Sequence, residues 1–179
     1  MKHEIVMSGF GGQGVLLMGQ ILTYAGMLEN KNVSWIPSYG PEMRGGTANC
    51  SVIITDGPTG SPMVDQPSAA VVLNLPSLDK FEPTVQPGGV LIVNSSLIDK
   101  PVKRTDIKVF RVPVNDIATE LGNVKMANMV ALGALIGATG AVEMDILFEA
   151  FAKKFASKPK VIEANKIAIK KGYDCVKQA

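Results

Sequence analysis

HEIVMSGFGGQGVLLMGQILTYAGM, His3 to Met27, decides the fold. His3 to Ser8 is a short, largely apolar run that ends in glycines, the pattern of a buried strand. Gly9-Phe10-Gly11-Gly12-Gln13-Gly14 then satisfies G-x-G-x-x-G. Gly14 to Met27 is apolar nearly all round, with only Gln20, Thr23 and Tyr24 polar, so it predicts a helix covered on most sides. Strand, glycine turn and helix together form the opening unit of an α/β fold. Glycines let the backbone turn tightly and approach a ligand, and the helix N-terminus offers free N–H groups to an anion.

Working outward, Asn32 to Ile36 reads as a strand closed by Pro37, and Ser38 to Gly46 as a polar, glycine-bounded loop. Ala48 to Thr55 is a β-rich run ending in the turn signal Asp56-Gly57-Pro58. Ala69 to Leu75, Val90 to Asn94 and Ile107 to Val112 read as further strands, and Pro113 to Leu121 as a short helix stopped by Gly122. From Met126 the period becomes helical. Met144, Leu147, Phe148, Phe151 and Phe155 share one face, and after Lys158-Pro159 a last helix carries its lysines mostly opposite its apolar side. The order predicts one three-layer α/β/α domain over residues 1–179, with a mainly parallel, mixed sheet.

Composition narrows the function. The 179 residues are 46% hydrophobic but only 19% charged, against an average of ~25%. That excludes a disordered chain and suggests that some surface is covered by something else. A net charge of +2, with Arg44, Arg104 and Arg111 scattered, gives no nucleic-acid footprint. Residues 151–179 hold 8 lysines against Glu163 and Asp174, which is either a solvated helix face or a docking surface for an acidic partner or a phosphate. Cys50 and Cys175 form no metal-ligand or disulfide pattern, so a reducing cytoplasm is the expectation, with no secretory signal. Met126 to Val142 is uncharged but too short for a membrane span, which takes ~20 residues. Its Gly133-x-x-x-Gly137 spacing also suits close packing in a buried soluble helix.

The glycine loop is incomplete as a nucleotide site. A dinucleotide fold also wants an acidic residue at the end of the next strand. Here that strand ends Trp35-Ile36-Pro37-Ser38, and no Walker lysine follows Gly14. Three readings stand: tight strand-to-helix packing, a phosphate-bearing ligand, or a true NAD or FAD site. A second constellation runs PSYGPEMRGG, Pro37 to Gly46. The Arg44 fork suits a carboxylate or phosphate, or simply pairs with Glu42. Catalytic parts are otherwise missing, because His3 is the only histidine and no carboxylates stand at metal-ligand spacing.

GFGGQGV (Gly9 to Val15) followed by PSYGPEMRGGTANC (Pro37 to Cys50) resembles the gamma subunit of 2-oxoacid:ferredoxin oxidoreductases. NVKMANMVALGALIGATG (Asn123 to Gly140) and EANKIAIKKGYD (Glu163 to Asp174) extend the likeness over the whole chain. Members acting on pyruvate tend to read Glu-Arg-Arg-Gly-Ala-Pro where this chain has Glu42-Met43-Arg44-Gly45-Gly46-Thr47, so the wording is more similar to the 2-oxoglutarate branch. The resemblance implies oxidative decarboxylation of a 2-oxoacid with coenzyme A to acyl-CoA and carbon dioxide, with electrons passed to ferredoxin. It implies thiamine diphosphate and magnesium in alpha and beta partners, and iron–sulfur clusters in beta or ferredoxin-like subunits. This chain would bind none of these and would carry no catalytic residue or metal. Its expected contribution is an edge that receives coenzyme A or a neighbouring subunit, for which the candidates are Gly9, Gly11, Gly12, Gln13 and Gly14, with Ser38, Tyr39, Glu42, Arg44 and Gly45. A stand-alone NAD(P)-binding oxidoreductase is the alternative.

Overall fold

The computed structural model describes residues 1–39 and 47–179. Its centre is β1 (Lys2–Phe10), the strand expected from His3 to Ser8, followed by α1 (Val15–Leu28). The next strands are β2 (Asn32–Tyr39), β3 (Thr47–Thr55) and β4 (Ala69–Val72). After α2 (Leu75–Phe81) come β5 (Val90–Asn94) and β6 (Lys108–Val112). Four helices complete the chain: α3 (Val114–Glu120), α4 (Ala127–Thr139), α5 (Met144–Lys154) and α6 (Pro159–Lys177).

The strands form one sheet in the order β2-β3-β1-β4-β5-β6. β1, β4, β5 and β6 are parallel, whereas β3 lies antiparallel to both β1 and β2. The fold is therefore α/β with a mixed sheet, as the element order predicts. β2 and β3 form a hairpin-like pair, which places β3 between β1 and the strand that follows α1.

Two local expectations change. β2 runs on through Pro37 to Tyr39, because it is an edge strand paired only with β3, where a missing backbone donor is tolerated. The strand expected over Ala69 to Leu75 stops at Val72, and Leu75 opens α2. Asn74 caps that helix by accepting from Ser77 N at 2.9 Å, and Pro76 fits its first turn.

The layers are unequal. Ile5, Met7, Cys50, Val52 and Ile54 point into the main core with α1, α4, α5 and α6. The opposite face has a smaller cluster, in which Ala70, Val72, Leu91 and Val93 pack with Leu78 of α2 and with Ile98. Among the described residues the second outer layer thus consists of one seven-residue helix, a 3-10 turn at Glu82–Thr84 and irregular segments. In the thick layer α4 is buried along most of its length and lies against α6. A Cβ on Gly133 would strike the Ile169 carbonyl, and one on Gly172 the Val130 carbonyl. The small residues of the uncharged helix therefore serve a helix–helix seam inside the fold. No described helix is long and apolar enough to cross a membrane.

Candidate functional site at the carboxyl edge of the sheet

The glycine loop joins β1 to α1. Gly9 is buried, and a Cβ there would sit 2.5 Å from Gln13 Oε1 and 3.1 Å from Leu73 Cβ. Gln13 closes the turn twice: its Oε1 accepts from Phe10 N at 2.6 Å, and its own N–H donates to the Phe10 carbonyl at 3.1 Å. Gly14, with φ +75°, sits at the N-cap of α1, a left-handed conformation that L side chains adopt at a cost. A Cβ there would also meet the Asn128 amide carbon at 2.9 Å. Asn128, in the first turn of α4, donates to the Gly14 carbonyl at 3.3 Å and ties the two helix starts together. Gly12 differs: its φ is +91°, and a Cβ on it would meet nothing within 4 Å.

A cavity of ≈ 190 Å³ opens beside the loop, lined in part by Gly12, Gln13, Leu73, Asn94, Asn115 and Lys125. Ligand pockets run roughly 300–1,000 Å³, so this space can hold a phosphate or one arm of a cofactor, but cannot enclose a dinucleotide. Asn94, buried at the carboxyl end of β5, organises its floor. Its amide donates to the Leu73 carbonyl at 3.1 Å and to Asn115 Oδ1 at 2.7 Å, while its oxygen accepts from Ser96 N at 3.2 Å. Among the described residues Lys125 is the only charged one on the lining. The glycine motif pointed to Gly12 and Gln13 but not to Asn94, Asn115 or Lys125. The available signal was a polar residue ending the apolar run Val90 to Val93.

The register fixes where the second motif attaches. Phe10 pairs with Thr47 and Tyr39 with Ala48. β2 runs in the direction of β1, so the segment after Tyr39 leaves from the edge where the glycine loop lies, and returns to it at Thr47. Ser38 is exposed one residue before that point. Glu42, Arg44 and Gly45 lie outside the described residues, within 40–46. The structure therefore brings the two motifs' flanks to one edge, where α/β folds bind ligands.

The dinucleotide reading loses geometry as well as its carboxylate. In that fold the strand after the first helix lies directly beside the first strand. Here β3 intervenes, so the end of β2 is two strand spacings from the glycine loop, about 10 Å.

The remaining reactive groups lie away from this chemistry or are silenced by burial. His3 is at the amino end of β1, roughly 23 Å along the strand from Phe10, and burial and the N-terminal ammonium hold it below the ordinary imidazole range. Burial pushes the Cys50 thiol up to about 12, and that thiol donates to the Val15 carbonyl at 3.6 Å. Burial, then the nearby Asp174 charge, raises Cys175. Among the described residues no group of three or more His, Cys, Asp and Glu side chains could hold a metal ion.

A mixed α/β sheet with a glycine loop, and a carboxyl edge poor in charge among the described residues, is an arrangement suited to facing a ligand or a neighbouring subunit. The chain belongs to the pyruvate ferredoxin/flavodoxin oxidoreductase family, whose pattern it matches over residues 4–175. It is 38% identical over 173 residues to the ketoisovalerate oxidoreductase subunit VorA of Methanothermobacter marburgensis, covering 96% of this chain and 36% of that one. It is also 38% identical over 185 residues to the 2-oxoglutarate synthase subunit KorC of Methanocaldococcus jannaschii, covering 99% and 96%. This chain thus spans about a third of the VorA length and nearly all of KorC. The gamma subunit of the keto/oxoacid ferredoxin oxidoreductase of Geobacter sulfurreducens superposes with a TM-score of 0.89 at 31% identity, covering 100% of this chain and 98% of that one. The 2-oxoglutarate:ferredoxin oxidoreductase of Magnetococcus marinus, solved with 2-oxoglutarate, coenzyme A and succinyl-CoA bound, shares the fold with a TM-score of 0.92. Its identity is 22%, over 99% of this chain and 31% of that one.

Proposed function

We propose that this chain is the gamma-type subunit of a 2-oxoacid:ferredoxin oxidoreductase, with 2-oxoglutarate as the 2-oxoacid. The assembled enzyme would convert the oxoacid and coenzyme A to acyl-CoA and carbon dioxide and deliver two electrons to ferredoxin. Residues 1–179 form one domain of that enzyme and act in the cytoplasm, in keeping with two free cysteines. Alpha and beta partners would hold the thiamine diphosphate, magnesium and iron–sulfur clusters, and this chain would hold none. The observation that carries the reading is the register Phe10–Thr47 and Tyr39–Ala48, since it joins the ends of both family motifs at one sheet edge.

The role of the chain at that edge is to receive coenzyme A. The residues put forward are Gly9, Gly11, Gly12, Gln13 and Gly14 of the loop, Ser38, Tyr39, Glu42, Arg44 and Gly45 of the second motif, and Lys125 with Asn115 on the cavity. Backbone N–H groups at the start of α1 and the Lys125 ammonium suit a phosphate, because neither needs to be desolvated fully to bind it. Coenzyme A presents phosphates on a flexible arm, so a shallow cavity suffices for one end of it. No bond is made or broken by these residues; they bind and orient.

Purifying the chain with its partner subunits tests the assignment. The complex is expected to be brown, to contain thiamine diphosphate and to reduce ferredoxin only when both 2-oxoglutarate and coenzyme A are present. A colourless lone protein that binds NADH or NADPH at micromolar concentration would overturn it in favour of the stand-alone enzyme.

A further inference from the structure

We infer that the helix-free face of β2 and β3, with the apolar rim beside it, is the surface buried by a larger partner subunit. This rests on the gamma-subunit reading and adds to it the surface and the kind of partner. Strand alternation sends Ile5, Met7, Cys50, Val52 and Ile54 into the main core, so their neighbours face the other way. Those neighbours form rows across the three strands: Ser38–Asn49–Ser8, Ile36–Ser51–Val6 and, at the carboxyl end, Thr47–Phe10. α1 covers β2 and β3 from the core side, and among the described residues no helix packs on the reverse side of these two strands. Ser34, Ile36, Thr47, Asn49 and Ser51 there are part-exposed, Ser38 and Phe10 are exposed, and none of these is charged. Ile53 toward the amino end is buried, as are Val6 and Ser8 of β1, where Ser8 Oγ meets Ser77 Oγ of α2 at 2.7 Å, so the open area is the carboxyl half of β2 and β3.

Among the described residues the adjoining carboxyl edge has the same character. Phe10, Leu75, Leu97 and Val124 are 40%, 42%, 50% and 51% exposed: Phe10 ends β1, Leu75 and Leu97 follow β4 and β5, and Val124 lines the cavity beside the glycine loop. Residues 9–15, 73–77, 94–98 and 112–115 contain no charge, and 122–128 contain only Lys125. The amino edge is the reverse: Asp56 pairs with the N-terminus and Lys31, Lys2 pairs with Glu4, and Arg104 pairs with Asp106. Depletion of charge, more than apolarity, marks the buried centre of a protein interface.

The occupant follows from the relatives. VorA carries this domain as 36% of one polypeptide, so nearly two thirds of that chain is other protein joined to it. KorC, which this chain matches over 96% of its length, is by contrast a subunit of about this size, so on the gamma-subunit reading the counterpart of that protein is a partner chain that needs a face on which to stay bound. A second copy fits less well at the sheet edge, because Pro37 removes a backbone donor from β2, the edge strand such a copy would extend.

The test uses the full chain co-expressed with its partner subunits, reading co-elution on size exclusion. Ser51→Arg and Ser38→Arg place a charge on the open face, Lys170→Glu on α6 is the control, and circular dichroism of each isolated chain reads its fold. We expect Ser51→Arg to lower partner retention by at least about tenfold, Ser38→Arg by less, and Lys170→Glu to leave it unchanged. Retention equal to the wild type for both arginine variants overturns the proposal. Should an arginine variant not fold, a photo-crosslinker placed at Ser51 and at Ser38 decides. A crosslink to the larger subunit supports the surface; no crosslink, or one to a second copy of this chain, overturns it. If the wild-type chain co-elutes with no larger subunit, the gamma reading fails and this inference with it.

Discussion

Glycine serves two purposes in this molecule, and comparing them separates structure from function. At the α4–α6 seam, Gly133 and Gly172 exist because opposing backbone carbonyls occupy the space a side chain would need. At the carboxyl edge, Gly12 has empty space where its side chain would be. The first pair keeps two helices close; the second position keeps a surface open. Gly14 stands between these cases, with a left-handed backbone and the Asn128 amide against it.

That contrast is easiest to break at the seam. Gly172→Val should cost more than ~4 kcal/mol, since neither backbone can move away cheaply in a close-packed core. Thermal denaturation followed by circular dichroism should find little folded protein at 37 °C. Gly14→Ala should cost about 1–3 kcal/mol from backbone strain and displacement of Asn128, seen as a lower Tm with a cooperative transition retained. Gly12→Ala meets only the strain of its positive φ, so it should fold with a smaller loss of Tm. In the assembled enzyme the same variant should raise KM for coenzyme A, because its methyl group enters the open side of the loop. If Gly12→Ala instead unfolds the chain as Gly172→Val does, the two glycine roles are not distinct.

Smaller effects sharpen the account of the buried groups. With its thiol pushed up to about 12, Cys50 should resist alkylation at pH 8 in the folded chain, while Cys175 reacts; mass spectrometry of peptides reads both. His3 supplies the weakest effect. Its folded pKa is lowered from the ordinary 6.5, so the unfolded chain binds the extra proton first and stability falls as pH drops below about 6.5. His3→Gln should flatten that part of a Tm-against-pH curve, leaving the loss at lower pH where Asp56, whose carboxyl Lys31 and the N-terminus hold low, becomes protonated.

The strand–glycine turn–helix unit was legible because apolar runs and glycines mark it locally. α2 was not, since a seven-residue helix offers too little periodicity and its Asn74-Leu75-Pro76 start looks like the tail of a strand. Nor could periodicity place β3 between β1 and β2, because strand patterns carry no information on sheet order. The same limit hid part of the candidate site. Asn94, Asn115 and Lys125 are far from Gly12 in sequence, and only the parallel order of β1, β4 and β5, with the return of the chain to α4, brings them together. The charge deficit was visible in composition, but its concentration at one edge required the topology.

On the gamma-subunit reading, this carboxyl edge receives coenzyme A in the assembled enzyme. Steady-state titration of coenzyme A at saturating 2-oxoglutarate, with Lys125→Ala and Arg44→Ala complexes of wild-type composition, tests it most directly. KM for coenzyme A is expected to rise about tenfold in each, equivalent to losing about 1.4 kcal/mol of binding, with KM for 2-oxoglutarate unchanged. Unaltered coenzyme A kinetics in both intact complexes would contradict it.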